Sequence, residues 1–390
     1  MSGTVPVLHI TEDMAAASGG VPAVVRQLAA RWARMGQGVT VLHAKGDASD
    51  LADGIQVVRE QAQGIGRLWS YSGGLLASTK KLMQAAARNG GVAHIHGLWS
   101  APPTLAAQAA AAHQVPFIFT AHGMLVPWLW TQQGAAVRLK KTLFWHLLAA
   151  PGLRRSTVVH AITPMERDEL RLLLPDNRIE VIPNAIEIGA ADESIRARDR
   201  VVLFLGRIEP KKGVDILIRA FAAAGLAGDW RLEIVGPPWS DRYMNDLRLL
   251  VRERGIESRV TFRGPVFGSA KEQILATAWV MVAPSHSEVV GLVNLEAGSR
   301  YLPSITTHQT GLWDWAEGGG LLVQPDVSQV AHALRSAAAW SDDERTQRGI
   351  ASRQLVERRY SWPAVMPIWQ DLYNNIGFKD GIRGQASSTI

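Results

Sequence analysis

Two carboxylates eight residues apart, Glu288 and Glu296, frame the segment Pro284-Ser285-His286-Ser287-Glu288-Val289-Val290-Gly291-Leu292-Val293-Asn294-Leu295-Glu296-Ala297. The apolar run Trp279 to Ala283 before it reads as a buried parallel strand. Glu288 then belongs to the loop at that strand's carboxyl end, and Glu296 lies a turn or more inside a helix opening at Gly291. Open α/β sheets bind ligands at the carboxyl ends of their strands. Helix N-termini there offer free N–H groups and partial positive charge to phosphate or to polarised hydroxyls. Two acceptor-only carboxylates beside such a place suit a ligand rich in hydroxyls, which points to a sugar nucleotide. The spacing alone also fits a solvated helix start with one surface charge.

A second segment favours the chemical reading. In Phe204-Leu205-Gly206-Arg207-Ile208-Glu209-Pro210-Lys211-Lys212-Gly213-Val214-Asp215, a strand over Val201 to Leu205 ends in Gly-Arg, and Lys212 comes just before the next helix. The fork of Arg207 and the point charge of Lys212 can converge above the sheet and neutralise a diphosphate. No Asp-x-Asp occurs anywhere in the chain to hold a divalent cation on such a group.

The order Gly-Arg-x4-Lys-Gly and then Glu-x7-Glu resembles the retaining glycosyltransferases of family 4, of the bacterial surface-polysaccharide type, whose two-Rossmann-domain fold is called GT-B. The resemblance runs nearly end to end: Gly19-Gly20, His94-Ile95-His96-Gly97, Thr120-Ala121-His122-Gly123-Met124-Leu125, Val181-Ile182-Pro183-Asn184, and Tyr360-Ser361-Trp362 with Tyr373. The chain departs from the family at Val290, where Phe is usual, at Ala185, where Gly is usual, and in the tryptophan-rich stretch Thr310 to Trp315.

The resemblance implies an α/β fold of two Rossmann-like parallel-sheet domains facing across a cleft, with a C-terminal helix crossing back to the first. It implies that Gly19 and Gly20 approach the diphosphate and donor sugar, and that His122 hydrogen-bonds the sugar near the reacting carbon. Arg207 and Lys212 would hold the diphosphate, Glu288 the sugar hydroxyls, and Glu296 the ribose. The amides of Val290, Gly291 and Leu292 would face sugar and phosphate. The implied activity is a retaining, metal-independent transfer of a sugar from a UDP-, GDP- or other nucleoside-diphosphate sugar to an acceptor hydroxyl. The run from His122 through Trp128 to Lys141 looks like enzymes of exopolysaccharide or lipopolysaccharide assembly, with a glycan or lipid-linked glycan as acceptor. Rival readings are a small-molecule glycosyltransferase or nucleotide-sugar epimerase on the same fold, and an inactive nucleotide- or carbohydrate-binding subunit. The intact Arg207, Lys212, Glu288 and Glu296 speak against the last.

Strands and helices alternate almost throughout, so the chemistry is carried by a parallel α/β frame. Val5 to Ile10, Val39 to His43, Val92 to His96, Pro116 to Thr120 and Thr157 to Ile162 read as strands of the first half, closed by Val181 to Pro183. Arg231 to Val235, Arg259 to Arg263, Ser304 to Thr307 and Leu321 to Val323 join the two strands already named in the second. The expected division is an acceptor-binding domain over 1–186, completed by a helix over about 361–379. A polar linker over 187–200, a nucleotide-sugar domain over 201–360 and a flexible tail over 380–390 follow.

His94 and His96 alternate along one strand and share a face, a structural or acceptor-side pair. With no carboxylate near at ligand spacing, no metal site is expected. The chain of 390 residues has no cysteine, which removes thiol nucleophiles and thiolate metal sites. A net charge of +6 favours an anionic partner. No nucleic-acid-binding signature is present, so phosphate or lipid is the expected one. Residues 127–155 mix Trp128, Trp130, Leu139, Leu143, Phe144, Trp145, Leu147 and Leu148 with Arg138, Lys140, Lys141, Arg154 and Arg155, the composition of an interfacial helix on an anionic membrane. With no signal-like start and no spanning run, the expected location is cytoplasmic, peripheral on the inner face of the membrane.

Overall fold

The computed structural model describes residues 6–15, 19–62, 69–125, 134–189 and 199–377. The chain divides into two compact units, one of residues 1–182 and 366–390, the other of residues 183–365. Much of the expected linker (190–198), the tail (380–390) and Trp128 with Trp130 lie outside the described residues.

The first unit holds seven strands: β1 (Val7–Ile10), β2 (Val39–His43), β3 (Ile55–Arg59), β4 (Val92–His96), β5 (Phe117–Thr120), β6 (Val158–Ala161) and β7 (Ile179–Val181). They lie in the order β3-β2-β1-β4-β5-β6-β7, and every pairing is parallel. β3 was not expected from the sequence. It is an edge strand whose Gln56, Val57 and Arg59 are exposed, so it lacks the apolar run of its neighbours.

The sheet's two faces differ in chemistry, because alternate residues point to opposite sides. Leu8, Ile10, Ala93, Ile95, Phe117, Phe119, Val159 and Ala161 enter one apolar cluster together with Leu75 and Met83 of the helix Gly73–Arg88 and Ala106 and Ala110 of the helix Ala101–Ala112. His9, His94, His96, Thr120 and His160 are buried on the other face. Trp369 and Tyr373 pack there, from the helix Trp362–Gly377, whose residues from Met366 onward belong to this unit. Trp32, on the first helix Gly20–Arg34, meets Tyr373 at 4.6 Å between ring centres.

The second unit repeats the plan with β8 (Val201–Leu205), β9 (Arg231–Val235), β10 (Val260–Arg263), β11 (Val280–Ala283), β12 (Ser304–Thr307) and β13 (Leu321–Val323). Their order is β10-β9-β8-β11-β12-β13, again all parallel. This is the doubly wound order, and its reversal point lies between β8 and β11, where loops diverge and leave room for a ligand.

Residues 134–155 form the helix Ala135–Phe144, a wider π turn over Trp145–Ala149 and a short helix Ala150–Leu153. Phe144 and Trp145 are core residues here, which corrects the expectation that they lie at a lipid surface. Leu139, Leu143 and Leu147 are 62%, 51% and 69% exposed, and they follow one another at one-turn spacing. No helix among the described residues is long and apolar enough to cross a membrane.

Candidate active site

At the reversal point of the second unit, the loops after β8 and β11 are tied together three times. The His286 N–H donates to the Lys211 carbonyl at 2.9 Å. Gly213 lies against Pro284: its φ is +67°, and a Cβ there would collide with the Pro284 carbonyl oxygen. The Lys212 ammonium pairs with the Glu288 carboxylate, and both side chains are largely covered. Ser285 Oγ donates to the same carboxylate oxygen at 3.2 Å, and the Glu288 N–H donates to the Gln309 carbonyl at 2.9 Å. Lys212 and Glu288, 76 residues apart, therefore meet at the end of two adjacent strands.

Arg207 stands at the start of the same loop with its side chain 57% exposed, and its nearest carboxylate is Glu209 at 3.8 Å. Glu296 lies inside the helix Leu292–Gly298 and pairs with Lys271 at 2.8 Å, a partner not foreseen from the sequence. That helix is pinned by the fully buried Asn294. Its amide donates to the Gly291 carbonyl at 3.2 Å and to Thr306 Oγ1 at 3.1 Å, and its oxygen accepts from Ser304 Oγ at 2.8 Å. Gly291 has φ −76° and ψ 76°, an inverse γ-turn in which the Leu292 N–H donates to the Val290 carbonyl. Of the three amides expected to face a ligand, that of Leu292 donates within this turn, and those of Val290 and Gly291 donate to no group among the described residues. Of the two tryptophans in the stretch that departs from the family, Trp315 is core, bonded to Ser304 Oγ at 2.9 Å, and Trp313 is exposed.

In the first unit, Gly19 caps the helix Gly20–Arg34 with φ 99° and ψ −148°, a conformation only glycine adopts at little cost. His122 follows β5 with φ 51°, uncommon for a residue with a side chain. Its loop is clamped by Glu166, a buried carboxylate absent from the sequence reading, which accepts from the Gly123 and Ile162 amides at 2.7 Å each. Burial pushes Glu166 up to about 7, against the pull of the two N–H groups. The signal for it was Thr163-Pro-Met-Glu166: Thr163 caps its helix through the Glu166 N–H, as in a capping box, while the glutamate reaches beyond the cap to the neighbouring loop.

The histidines of this unit form two hydrogen-bonded rows. In one, His9 Nδ1 meets His96 Nε2 at 3.0 Å, and His96 Nδ1 meets His122 Nε2 at 3.1 Å. In the other, Tyr373 bonds His94 Nδ1 at 2.6 Å, His94 Nε2 bonds Thr120 Oγ1 at 2.8 Å, Thr120 bonds His160 Nδ1 at 2.9 Å, and His160 Nε2 donates to the Ile182 carbonyl at 2.8 Å. Burial lowers all five imidazoles: His9 and His122 to about 3, His160 to about 4, and His94 and His96 well below the ordinary range. They are neutral at physiological pH. His9, His94 and His96 gather on this face, each with a ring nitrogen within 4.8 Å of the others. Both nitrogens of His94 are already engaged by Tyr373 and Thr120, so a cation there would have to break one of those bonds.

Comparison with known proteins agrees with this geometry. Residues 18–189 match the family described as Glycosyltransferase Family 4, and residues 199–339 match Glycosyl transferases group 1. The chain belongs to the family 4 glycosyltransferases. A D-inositol 3-phosphate glycosyltransferase of Acidothermus cellulolyticus is 37% identical over 41% of this chain and 40% of its own length. A GDP-mannose:cellobiosyl-diphosphopolyprenol alpha-mannosyltransferase of Xanthomonas oryzae pv. oryzae is 25% identical over 74% of this chain and 75% of its own. The chain spans about half or less of the length of the D-inositol 3-phosphate relatives it matches. Among solved structures, Anabaena HepE in complex with UDP and glucose superposes with a TM-score of 0.72 at 18% identity, covering 94% of this chain and 99% of HepE. The fold of this family 4 chain is accordingly GT-B, with two parallel-sheet Rossmann-like units.

Proposed function

We propose that the protein transfers a sugar, with retention of configuration and without a metal ion, from a nucleoside-diphosphate sugar to an acceptor hydroxyl in the assembly of a bacterial surface polysaccharide. The observation that carries this reading is the Lys212–Glu288 pair at the reversal point of the second unit's sheet. One group of the pair suits the charge of a departing diphosphate, the other the hydroxyls of a sugar, and each holds the other in place until a ligand arrives. Arg207, with little of its charge matched nearby, adds a second cation. Together they supply the electrostatic stabilisation that a divalent ion would otherwise give. Glu296 serves the ribose, with Lys271 as its resting partner. The first unit contributes Gly19, Gly20 and His122 toward the diphosphate and sugar.

The HepE structure, named for UDP and glucose, supports a nucleotide-sugar donor, and the Xanthomonas relative, named for a polyprenol-linked substrate, supports a lipid-linked acceptor. A lipid-linked acceptor fits the exposed Leu139 and Leu143, which share their helix with the exposed Arg138 and Lys140, and the exposed Leu147 in the π turn that follows. Rings aside, that is an apolar stripe beside cations, suited to the cytoplasmic face of an anionic membrane.

The test is transfer from a panel of UDP- and GDP-sugars to polyprenol-linked acceptors. Arg207→Ala and Lys212→Ala should each lower turnover by about 100-fold or more, the range for removing an oxyanion-type donor. EDTA should leave the rate unchanged. Wild-type turnover in both variants would sink the diphosphate assignment, and a rate that collapses with EDTA and returns with manganese would sink the metal-free mechanism.

A further inference from the structure

We infer that His96, backed by His9, is a positioning residue that fixes the tautomer of His122, so that His122 presents an N–H at Nδ1 and not a lone pair. A neutral imidazole has one donor nitrogen and one acceptor nitrogen, so a row of them must point all its hydrogens one way. The row His9–His96–His122 has one inner end, His9 Nε2, which is buried without any hydrogen-bond partner. If that atom carried a hydrogen, an orphaned N–H would be sealed in the sheet's face, the rarer and costlier kind of unmet polar group. The lower-cost arrangement leaves a bare lone pair at His9 Nε2. His9 Nδ1 then donates to His96 Nε2, and His96 Nδ1 donates to His122 Nε2, at the observed 3.0 and 3.1 Å. His122 Nε2 is thereby an acceptor, and the hydrogen of its ring sits on Nδ1. The adjacent row is polarised the other way by a group that can only accept. The Ile182 carbonyl requires a hydrogen on His160 Nε2, Thr120 must then donate to His160 Nδ1, and His94 Nε2 must donate to Thr120.

Two rows on one sheet face therefore carry opposite tautomers: Nδ1–H at His9, His96 and His122, and Nε2–H at His94 and His160. For the reaction, His122 is a neutral hydrogen-bond donor to an oxygen of the donor sugar and does not act as a base. That use rests on the glycosyltransferase reading; the tautomer lock does not.

The experiment is long-range proton–nitrogen correlation spectroscopy of the full-length chain labelled with 15N-histidine, without any sugar nucleotide. His122 is assigned by the loss of its signals in His122→Gln. The expected wild-type pattern is a protonated Nδ1 and a bare Nε2 at His122, with the reverse at His94 and His160. In His96→Ala the vacated space admits water, which accepts as readily as it donates. The two His122 nitrogen signals should then move toward each other as both tautomers populate. A wild-type His122 protonated at Nε2 overturns the inference, and so does a His122 that stays purely Nδ1–H in His96→Ala. If His96→Ala does not fold, the wild-type pattern alone decides. The expected pattern in a protein that binds no sugar nucleotide would defeat the transferase reading and leave the lock standing.

Discussion

Lowering the pH should unfold the first unit well before the second. Its five buried imidazoles, His9, His94, His96, His122 and His160, are held neutral by burial far below the ordinary histidine range. In the unfolded chain the same groups take up protons near pH 6.5, so below that value the unfolded state binds more protons and folding stability falls with pH. Between about pH 7.5 and about pH 5.5, His9, His122 and His160 each remove about 1 kcal/mol, and His94 and His96 act in the same direction. Glu166 acts in the opposite sense. Its folded value of about 7 lies above its unfolded one, so the folded state gains a proton over this range and recovers about 2 kcal/mol. His43, also lowered, adds to the loss, while Glu169, also raised, opposes it. Five histidines act against one strongly raised glutamate, so the net effect of acid is a loss of stability, and an ordinary domain has only about 5–15 kcal/mol to lose. The second unit's His286, His308 and His332 are all exposed, so none of them is a buried imidazole. Urea unfolding at a series of pH values, with proteolytic fragments identified by mass spectrometry, reads the two units separately. The first unit's midpoint should fall steeply below about pH 6.5. A midpoint that holds to about pH 5.5, or that falls equally in both units, would refute the reasoning.

Removing the two site glutamates should have separable effects: calorimetry should show weaker binding of the free nucleoside diphosphate in Glu296→Ala, while Glu288→Ala keeps that affinity and loses sugar transfer. Equal loss of nucleotide affinity in both contradicts the roles assigned. Gly213→Ala forces a side chain into a left-handed turn and against the Pro284 carbonyl. It should cost at least about 1 kcal/mol in the second unit's unfolding free energy and displace Lys212, so an unchanged stability and nucleotide affinity would show that the loops are not tied there. Replacing Leu139, Leu143 and Leu147 with serine and Arg138 and Lys140 with glutamate should abolish co-sedimentation with anionic vesicles and leave nucleotide binding intact. Wild-type binding to vesicles should weaken at high salt, and sedimentation indifferent to both salt and these substitutions would rule the stripe out as a membrane contact.

How much of this was legible depended on what each feature needs. A buried parallel strand is covered on both faces and writes itself as an apolar run, so β8 and β11 stand out in the sequence, as do the loops that follow them. β3 was hidden because an edge strand buries little, and its pattern is half polar. Lys212 and Glu288 were legible as separate charges, but their contact is a matter of strand order, which no local spacing contains. Lys271 was silent for the same reason, and Asn294 because a polar residue inside a short helix looks like an exposed one until its neighbours on β12 are known. Glu166 had a local signal, the capping pair with Thr163, but nothing local could say that its carboxylate also reaches Gly123.

The histidines were the hardest case, and the physical reason also gives them their meaning. His94 and His96 are visibly on one face, yet His9, His122 and His160 join them only through the register of β1, β4, β5 and β6. Aliphatic side chains would pack the same sheet face and cost nothing in acid. The chain instead buries five neutral imidazoles, each disfavoured whenever a proton is available, and satisfies nearly every ring nitrogen except His9 Nε2. An aliphatic face has no direction, whereas a row of imidazoles does: the state of the inner nitrogen on β1 determines which nitrogen of His122 bears the hydrogen at the end of β5. The acid lability of the first unit and the donor character of His122 then have a single origin. A substitution that relieves part of the first, such as His9→Leu, makes His96 Nε2 the new inner atom without a partner, so the row should keep its direction and His122 its Nδ1–H.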